Sequence, residues 1–389
     1  MRWTGAWSMN AAELADRLRD ELCAPLGVPR LALDVAAVDE AGAWATSGAR
    51  ELTGSAHGQP LDVCGAPASL TGAALAVAQA YLKVELPGVE VLGERAALAG
   101  FHRNAPFSAG GSFRCLPAQD GWLGLSLARE WDREVLPALI GAPVAGDPWT
   151  AVAGWLGRVD AQHALEQAVD LQLAAGIVPA EPLGERRTPV EVTVGGLRSG
   201  TARPTVVDLS ALWAGPLCAR LLGLAGARVI KVESVDRPDG ARFGPPAFFD
   251  CMHAGHEFVW LDFAQQRNEL HALIASADVV LEASRPRALA RLGIDTHEHV
   301  AAGTVWASIT AYGRRGNDAD RIGFGDDVAA GAGLVAWTDS GPVPAGDALA
   351  DPIAGVHAAA AVAVALGGER GCLLDVSMHD ASRRAAGAG

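Results

Sequence analysis

Asp351 stands immediately before Pro352, where an Ala-rich stretch begins that reads as a helix. An Asp followed by Pro at a helix start is the pattern of an N-cap. The carboxylate accepts a backbone N–H, and Pro suits the first helical position. The same electrostatics keep a carboxylate at that place ionised, by about 0.3–1 kcal/mol. An ionised carboxylate can also attack an activated acyl group as a covalent nucleophile. Spacing alone does not choose between cap and nucleophile.

Other familiar chemistries find no support. The first strand of the later half leads into Trp213-Ala214-Gly215-Pro216 rather than GxGxxG, which argues against a nicotinamide enzyme. Neither GxxxxGK[ST] nor GxSxG occurs. His297-Glu298-His299 lacks i,i+4 metal spacing and reads as an exposed loop. His357 falls nearly opposite Asp351 on the same expected helix, so packing is its expected role. Asp326-Asp327, after Gly323-Phe324-Gly325, read as helix-capping acids. The cysteines (Cys23, Cys64, Cys115, Cys218, Cys251, Cys372) form no CxxC pair, so neither a disulfide framework nor a zinc site is expected.

The chain that must position these residues has 389 of them, enough for two or three domains. Half are hydrophobic and 20% charged, as in globular proteins. The net charge is -14, with acid in excess on both sides of Arg203, so no broad positive field for nucleic acid exists. An anionic substrate would need local Arg, Lys or helix N-termini. The opening MRWTGAWSMNAAELADRLRDEL lacks a signal-peptide core, and the apolar run from His357 to Leu366 is too short for a membrane span. A cytoplasmic, reducing location is expected.

Residues 205–389 alternate strand and helix, which predicts a parallel sheet covered on both faces. Expected strands are Val206–Leu209, Arg228–Glu233, Phe258–Leu261, Asp278–Glu282 and Val305–Ile309. Helices are expected from Gly215 through Leu222 and over Gln265–Ala275 and Pro286–Leu292. A Pro- and Gly-rich linker is expected over 183–204, after a small α+β domain over 101–182 that includes a strand at Gly121–Leu127. Residues 1–100 are expected to be helical and to pack on the large domain. Within them Ser47–Tyr81 resembles Ala332–Val364, an internal repeat in which Ala68 stands where the later copy has Asp351.

The run VVDLSALWAGPLCARLLGLAGARVIKVE, Val206–Glu233, resembles the opening of the family III CoA-transferases, the superfamily of formyl-CoA transferase and alpha-methylacyl-CoA racemase type. The resemblance continues through DVVLEASRPRALARLG (Asp278–Gly293), VWASITAYG (Val305–Gly313), Gly323–Gly333, ALADPIAGVHAAAAVAVAL (Ala348–Leu366) and LDVSMHDA (Leu374–Ala381). It implies a Rossmann-like CoA-binding domain. The family's smaller domain is matched upstream instead, at SFRCLPAQDGWLGLSL (Ser112–Leu127), which implies a circular permutation with a vestigial copy of the Asp-bearing segment near the start.

By motif position Asp351 matches the family's catalytic aspartate. The resemblance implies transfer of CoA from an acyl-CoA to a carboxylate acceptor through aspartyl intermediates, with neither metal nor ATP required. Gly110 and Gly111 match a mobile glycine loop that supplies oxyanion donors. Trp213 and Ala214 at the first βα turn and Arg291 are the implied CoA contacts, and a homodimer is the implied assembly; Lys231 and Arg242 are further candidates, each expected to be a solvated surface charge otherwise. The chain departs from the family at Ala283-Ser284, His256-Glu257 and Gly325. The alternatives are an acyl-CoA racemase or epimerase of the same fold, whose turn histidine is replaced by Phe324-Gly325-Asp326, and a non-catalytic CoA-binding descendant.

Overall fold

The computed structural model describes residues 10–35, 38–181, 183 and 187–387. Residues 1–9 of the opening segment and 184–186 of the expected linker lie outside the described residues. Four helices open the described chain: α1 (Ala11–Leu26), α2 (Glu40–Thr46), α3 (Pro67–Leu82) and α4 (Glu94–Ala99). Asn10 and Glu13 close a capping box on α1, and Gly27 ends it in the left-handed region at φ 64°. From Pro67 to Ala78, α3 is buried on almost every face, because its Ala, Leu and Val residues offer no polar side to water.

The next unit holds β1 (Phe113–Pro117), β2 (Trp122–Ser126), α5 (Glu130–Glu134), α6 (Leu136–Ile140), α7 (Pro148–Leu156), α8 (Ala161–Asp170) and β3 (Ala174–Val178). Its strands form an antiparallel sheet ordered β1-β2-β3. Leu116, Leu123, Leu125, Trp149 and Leu156 fill a core separate from that of the larger unit.

The larger unit runs β4 (Val190–Leu197), β5 (Thr205–Asp208), α9 (Ala214–Leu224), β6 (Arg228–Ser234), α10 (Pro246–Met252), β7 (Glu257–Leu261), α11 (Arg267–Ala275), β8 (Val279–Glu282), α12 (Pro286–Arg291), α13 (Thr296–Ala301), β9 (Val305–Thr310), α14 (Gly325–Gly331), β10 (Val335–Thr338), β11 (Gly341–Pro344), α15 (Ala350–Leu366), β12 (Arg370–Ser377) and α16 (Met378–Gly387). Its seven-stranded sheet is ordered β4-β12-β9-β8-β5-β6-β7 and is parallel except where β4 joins β12. Successive residues feed opposite faces, as the period of two in a strand requires. Val206, Leu281 and Val305 pack with α9, α15 and α3, while Val207, Val280 and Trp306 pack with α11 and α13. This is the mixed α/β architecture expected, with helices on both faces of a parallel-dominated sheet.

Two local expectations are corrected. Residues 190–197 lie inside the expected linker but form the edge strand β4, whose Val190, Val192 and Val194 alternate along a partner already in place. His297-Glu298-His299 lies on α13 rather than in a loop, because Asp295 caps the turn by accepting the His297 N–H.

Candidate active site

Asp351 sits in the first turn of α15, and Leu349 rather than Asp351 is the N-cap, with no side-chain cap bond. The N-cap reading is therefore corrected: the carboxylate is not used on its own helix. Half-buried, it turns to the start of α14, where the Gly325 backbone N–H favours its anion. A methyl group at 325 would overlap both the Asp351 carboxylate and the Ala348 carbonyl. The missing side chain at Gly325, a departure from the family pattern, is thus what lets α14 close on Asp351.

Three carboxylates share this space. Fully buried Asp347 accepts Arg95 Nε at 2.8 Å, and a second guanidinium nitrogen donates to its other oxygen. Asp326 accepts the Ala348 N–H at 2.9 Å. Burial raises the Asp351 carboxyl to about 7; Arg95 pulls it down, while Asp326 and Asp347 push it up. Burial and then Asp347 raise Asp326 to about 6, against Arg95. Like charges this close cannot all ionise independently, so the cluster titrates as a group. Asp327, the other half of the acidic pair, is not part of it. It accepts Ser126 Oγ at 2.7 Å and the Phe324 N–H at 3.0 Å, which is the capping role expected.

The loop before α15 is held from the other end of the chain. Thr53 Oγ1 accepts the Gly346 N–H at 2.8 Å, and Arg95 grips Asp347. Ala348 is held at φ 46°, a left-handed conformation that a non-glycine residue adopts at a cost of order 1–3 kcal/mol. Arg95 also lies over the Trp213 ring at 5.1 Å. Arg95, Thr53 and Asp347 carry no motif and were not among the sequence candidates.

Gly110 and Gly111 are exposed, and a Cβ on Gly110 would come within 3.8 Å of Arg95. The glycine turn therefore borders the carboxylate cluster. Gly111, at φ 80°, already donates its N–H to the Ser108 carbonyl at 2.9 Å. An oxyanion would have to take the Gly110 N–H instead.

The implied CoA contacts do not converge as side chains. Trp213 is 1% exposed and Ala214 6%, so only the backbone of their turn could meet a ligand. Lys231 is corrected outright: it is fully buried, 3.1 Å from Asp239 and 3.6 Å from Asp208, and is neither a surface charge nor open to phosphate. Arg242 pairs with Glu233 and packs on Phe249, Phe258 and Trp260. It lines an open recess of about 440 Å³ with His253 and Phe249. Arg291 is exposed at the end of α12. His357 is buried and its Nδ1 lies 2.7 Å from the Ile353 carbonyl, the packing role expected of it.

Residues 203–388 match the family described as CoA-transferase family III. The chain is 32% identical over 183 residues to an acyl-CoA transferase of Fusarium pseudograminearum, a match spanning 41% of this chain and 40% of that one. It is 29% identical over 181 residues to the succinate–glutarate CoA-transferase of Agrobacterium fabrum, spanning 41% of this chain and 45% of that one. A CAIB/BAIF family protein from Brucella suis, known as a crystal structure, aligns at 30% identity and a TM-score of 0.43, over 46% of this chain and 53% of that one. The chain spans less than half the length of the two curated relatives. Over residues 203–388, just under half of the chain, the similarity is to CoA-transferase family III.

Proposed function

We propose that the chain moves CoA between an acyl-CoA thioester and a carboxylate acceptor, with Asp351 as the nucleophile. The observation that carries this reading is the Asp351 carboxylate itself: half-buried, unused by its own helix and set against the start of α14. In the first step a carboxylate oxygen attacks the thioester carbonyl. The C–O bond forms, the C–S bond breaks, and CoA leaves as thiolate from an aspartyl–acyl anhydride. The thiolate then attacks the aspartyl carbonyl, releasing the donor's carboxylate and leaving an aspartyl-CoA thioester. The acceptor carboxylate repeats the two steps in reverse, which regenerates Asp351. Each step exchanges one activated acyl group for another, and the Gly110 N–H and the start of α14 are the candidate oxyanion donors.

The test is to incubate the protein with acyl-CoA and search for an adduct by mass spectrometry. Asp351 modified in the wild type and unmodified in Asp351→Ala supports the reading; no adduct with any donor in a screen of acyl-CoAs overturns it. A second reading, α-proton exchange by a racemase, draws on Asp326 and Asp351 both titrating near neutrality, as an acid–base pair requires. Incorporation of deuterium next to the thioester, without adduct, selects it.

The assembly is proposed to be a homodimer, checked by light scattering, and the order of the units a permuted one. Support for the permuted order is the placement of residues 113–178 before the matching half, with α3 lying along α15. The six free cysteines fit a reducing, cytoplasmic setting.

A further inference from the structure

Two loops border the carboxylate cluster, and one short segment outside the family-matching half is bonded to both. The first loop precedes α15 and spans residues 345–349; the second leads from Ala105 into the glycine turn at Gly110-Gly111. The segment is Thr53-Gly54. The Thr53 hydroxyl is fully buried and has a single proton to give. It donates that proton to the Ala49 carbonyl at 2.9 Å, and its oxygen accepts the Gly346 N–H at 2.8 Å. One residue on, the Gly54 carbonyl accepts the Ala105 N–H at 3.1 Å. Thr53 is itself fixed, its N–H on the Arg50 carbonyl and its carbonyl on the Leu61 N–H, both at 3.1 Å. Arg103, two residues before Ala105, donates to the Glu51 carbonyl at 2.7 Å and to those of Ser55 and Gly58 at 3.3 Å.

From Gly346 the constraint reaches Asp351 through direct contacts. Arg95 grips Asp347, Asp326 accepts the Ala348 N–H, and the Asp351 N–H donates to the Ala348 carbonyl at 3.0 Å. Inside that frame Ala348 keeps its left-handed φ of 46°. A strained backbone persists only where its surroundings over-determine it. A Gly346 N–H left buried without an acceptor would work against it.

We propose that Thr53 is a positioning residue: with Gly54 it clamps the loop before α15 to the loop before the glycine turn, and so sets where Asp351 stands relative to the Gly110 N–H. The consequence for catalysis rests on the transferase reading above; the clamp itself does not.

The experiment pairs the rate of Asp351 adduct formation with amide hydrogen exchange, at a temperature where every variant is folded. Thr53→Val keeps the shape of the side chain and removes its hydroxyl, whereas Thr53→Ser keeps the hydroxyl. Thr71→Val is the control: Thr71 is equally buried, but its hydroxyl bonds the Pro67 carbonyl within α3. Thr53→Val is expected to slow the adduct at least about tenfold, since a shift of about 1 Å at a reacting group costs up to about a hundredfold. Thr53→Ser and Thr71→Val should run close to wild type. Exchange at Gly346 and at Ala105 should both quicken in Thr53→Val, although the lost hydroxyl bonded only the first. Equal slowing in Thr53→Val and Thr71→Val overturns the proposal, as does quickened exchange at Gly346 with Ala105 unmoved. Should Thr53→Val fail to fold, the wild type decides: slow exchange at both amides supports the clamp, and either one exchanging like an exposed loop amide overturns it. The two readings separate. No wild-type adduct with exchange coupled between the loops removes the transferase and keeps the clamp; an adduct formed as fast in Thr53→Val as in wild type does the reverse.

Discussion

The Glu40 carboxylate accepts the Ser69 backbone N–H at 2.7 Å and that of Ala68 at 3.2 Å. These donors open α3, at the place where the internal repeat aligns Ala68 with Asp351. The earlier segment has Ala68 at that place, and α2 supplies an acid from outside. The two carboxylates differ in what they touch: Glu40 is committed to helix donors, whereas Asp351 makes no cap bond on its helix. Glu40→Ala leaves two N-terminal donors of α3 unmatched and is expected to cost about 1 kcal/mol, with Glu40→Gln costing less. Urea unfolding of the two variants checks this; equal stability of Glu40→Ala and wild type would show the bonds to be without consequence.

Much of the fold was legible because local pattern and final environment agree. The β-branched runs at Val206, Val279 and Val305 have no polar face, and such runs are stable only inside a covered parallel sheet. Asp351 was legible through its motif. Arg95 and Asp347 were not, since their pairing joins positions 252 residues apart and neither has a local signature. β4 was hidden for a different reason: its Val alternation was present, but Gly195 and Gly196 and the flanking prolines read as linker. Those glycines are required by the close approach of the Val300 and Ala301 carbonyls, which a Cβ would overlap.

Gly325 is the position where one methyl group tests the whole arrangement. In Gly325→Ala the new carbon meets the Ala348 carbonyl and the Asp351 carboxylate, so α14 and α15 must separate. Overpacking of this kind costs about 1–3 kcal/mol. The larger effect is expected on chemistry: loss of the Gly325 N–H from Asp351 should slow adduct formation at least about tenfold, roughly the 1.4 kcal/mol of one charge-assisted hydrogen bond. Adduct formation followed by mass spectrometry, at a temperature where the thermal melt shows the variant still folded, decides it. An unimpaired rate would mean that α14 does not support Asp351.

Stability should fall, not rise, between pH 5 and pH 8. Burial raises Glu40, Asp327 and Asp351 to about 7 and Asp326 to about 6. Unfolded carboxyls titrate near about 4. Between those values the folded chain keeps protons that the unfolded chain has released, so the stability present in acid is lost as pH climbs. Glu233 and Asp239 run the other way: in spite of burial, Arg242 and Lys231 hold them low, and their support is lost only in stronger acid. Thermal melts at matched ionic strength should give a higher midpoint at pH 5, and Asp327→Asn should narrow the difference. Buried His253 and His357, lowered to about 4, oppose the acids below about pH 6.5, so an unchanged difference in Asp327→Asn, rather than a flat profile, would contradict the buried acids as described. Adduct formation should have the opposite slope, rising through about pH 7 as Asp351 ionises.

Lys231 separates a ligand contact from a structural pair. Its ammonium is fully buried between Asp239 and Asp208 and also donates to the Ser210 carbonyl, beneath the loop that carries Trp213. In Lys231→Met the two carboxylates lose their common cation inside the protein, a change that costs about 3–5 kcal/mol when a buried pair is broken. The expected phenotype is therefore a large drop in the urea midpoint, with whatever protein remains folded binding CoA as before. Replacing both Lys231 and Asp208 with neutral residues should recover part of the loss, because one stranded charge is removed with its partner. If Lys231→Met instead kept its stability and lost only affinity for acyl-CoA, the side chain would have to reach the ligand, and the burial seen here would not describe the working state.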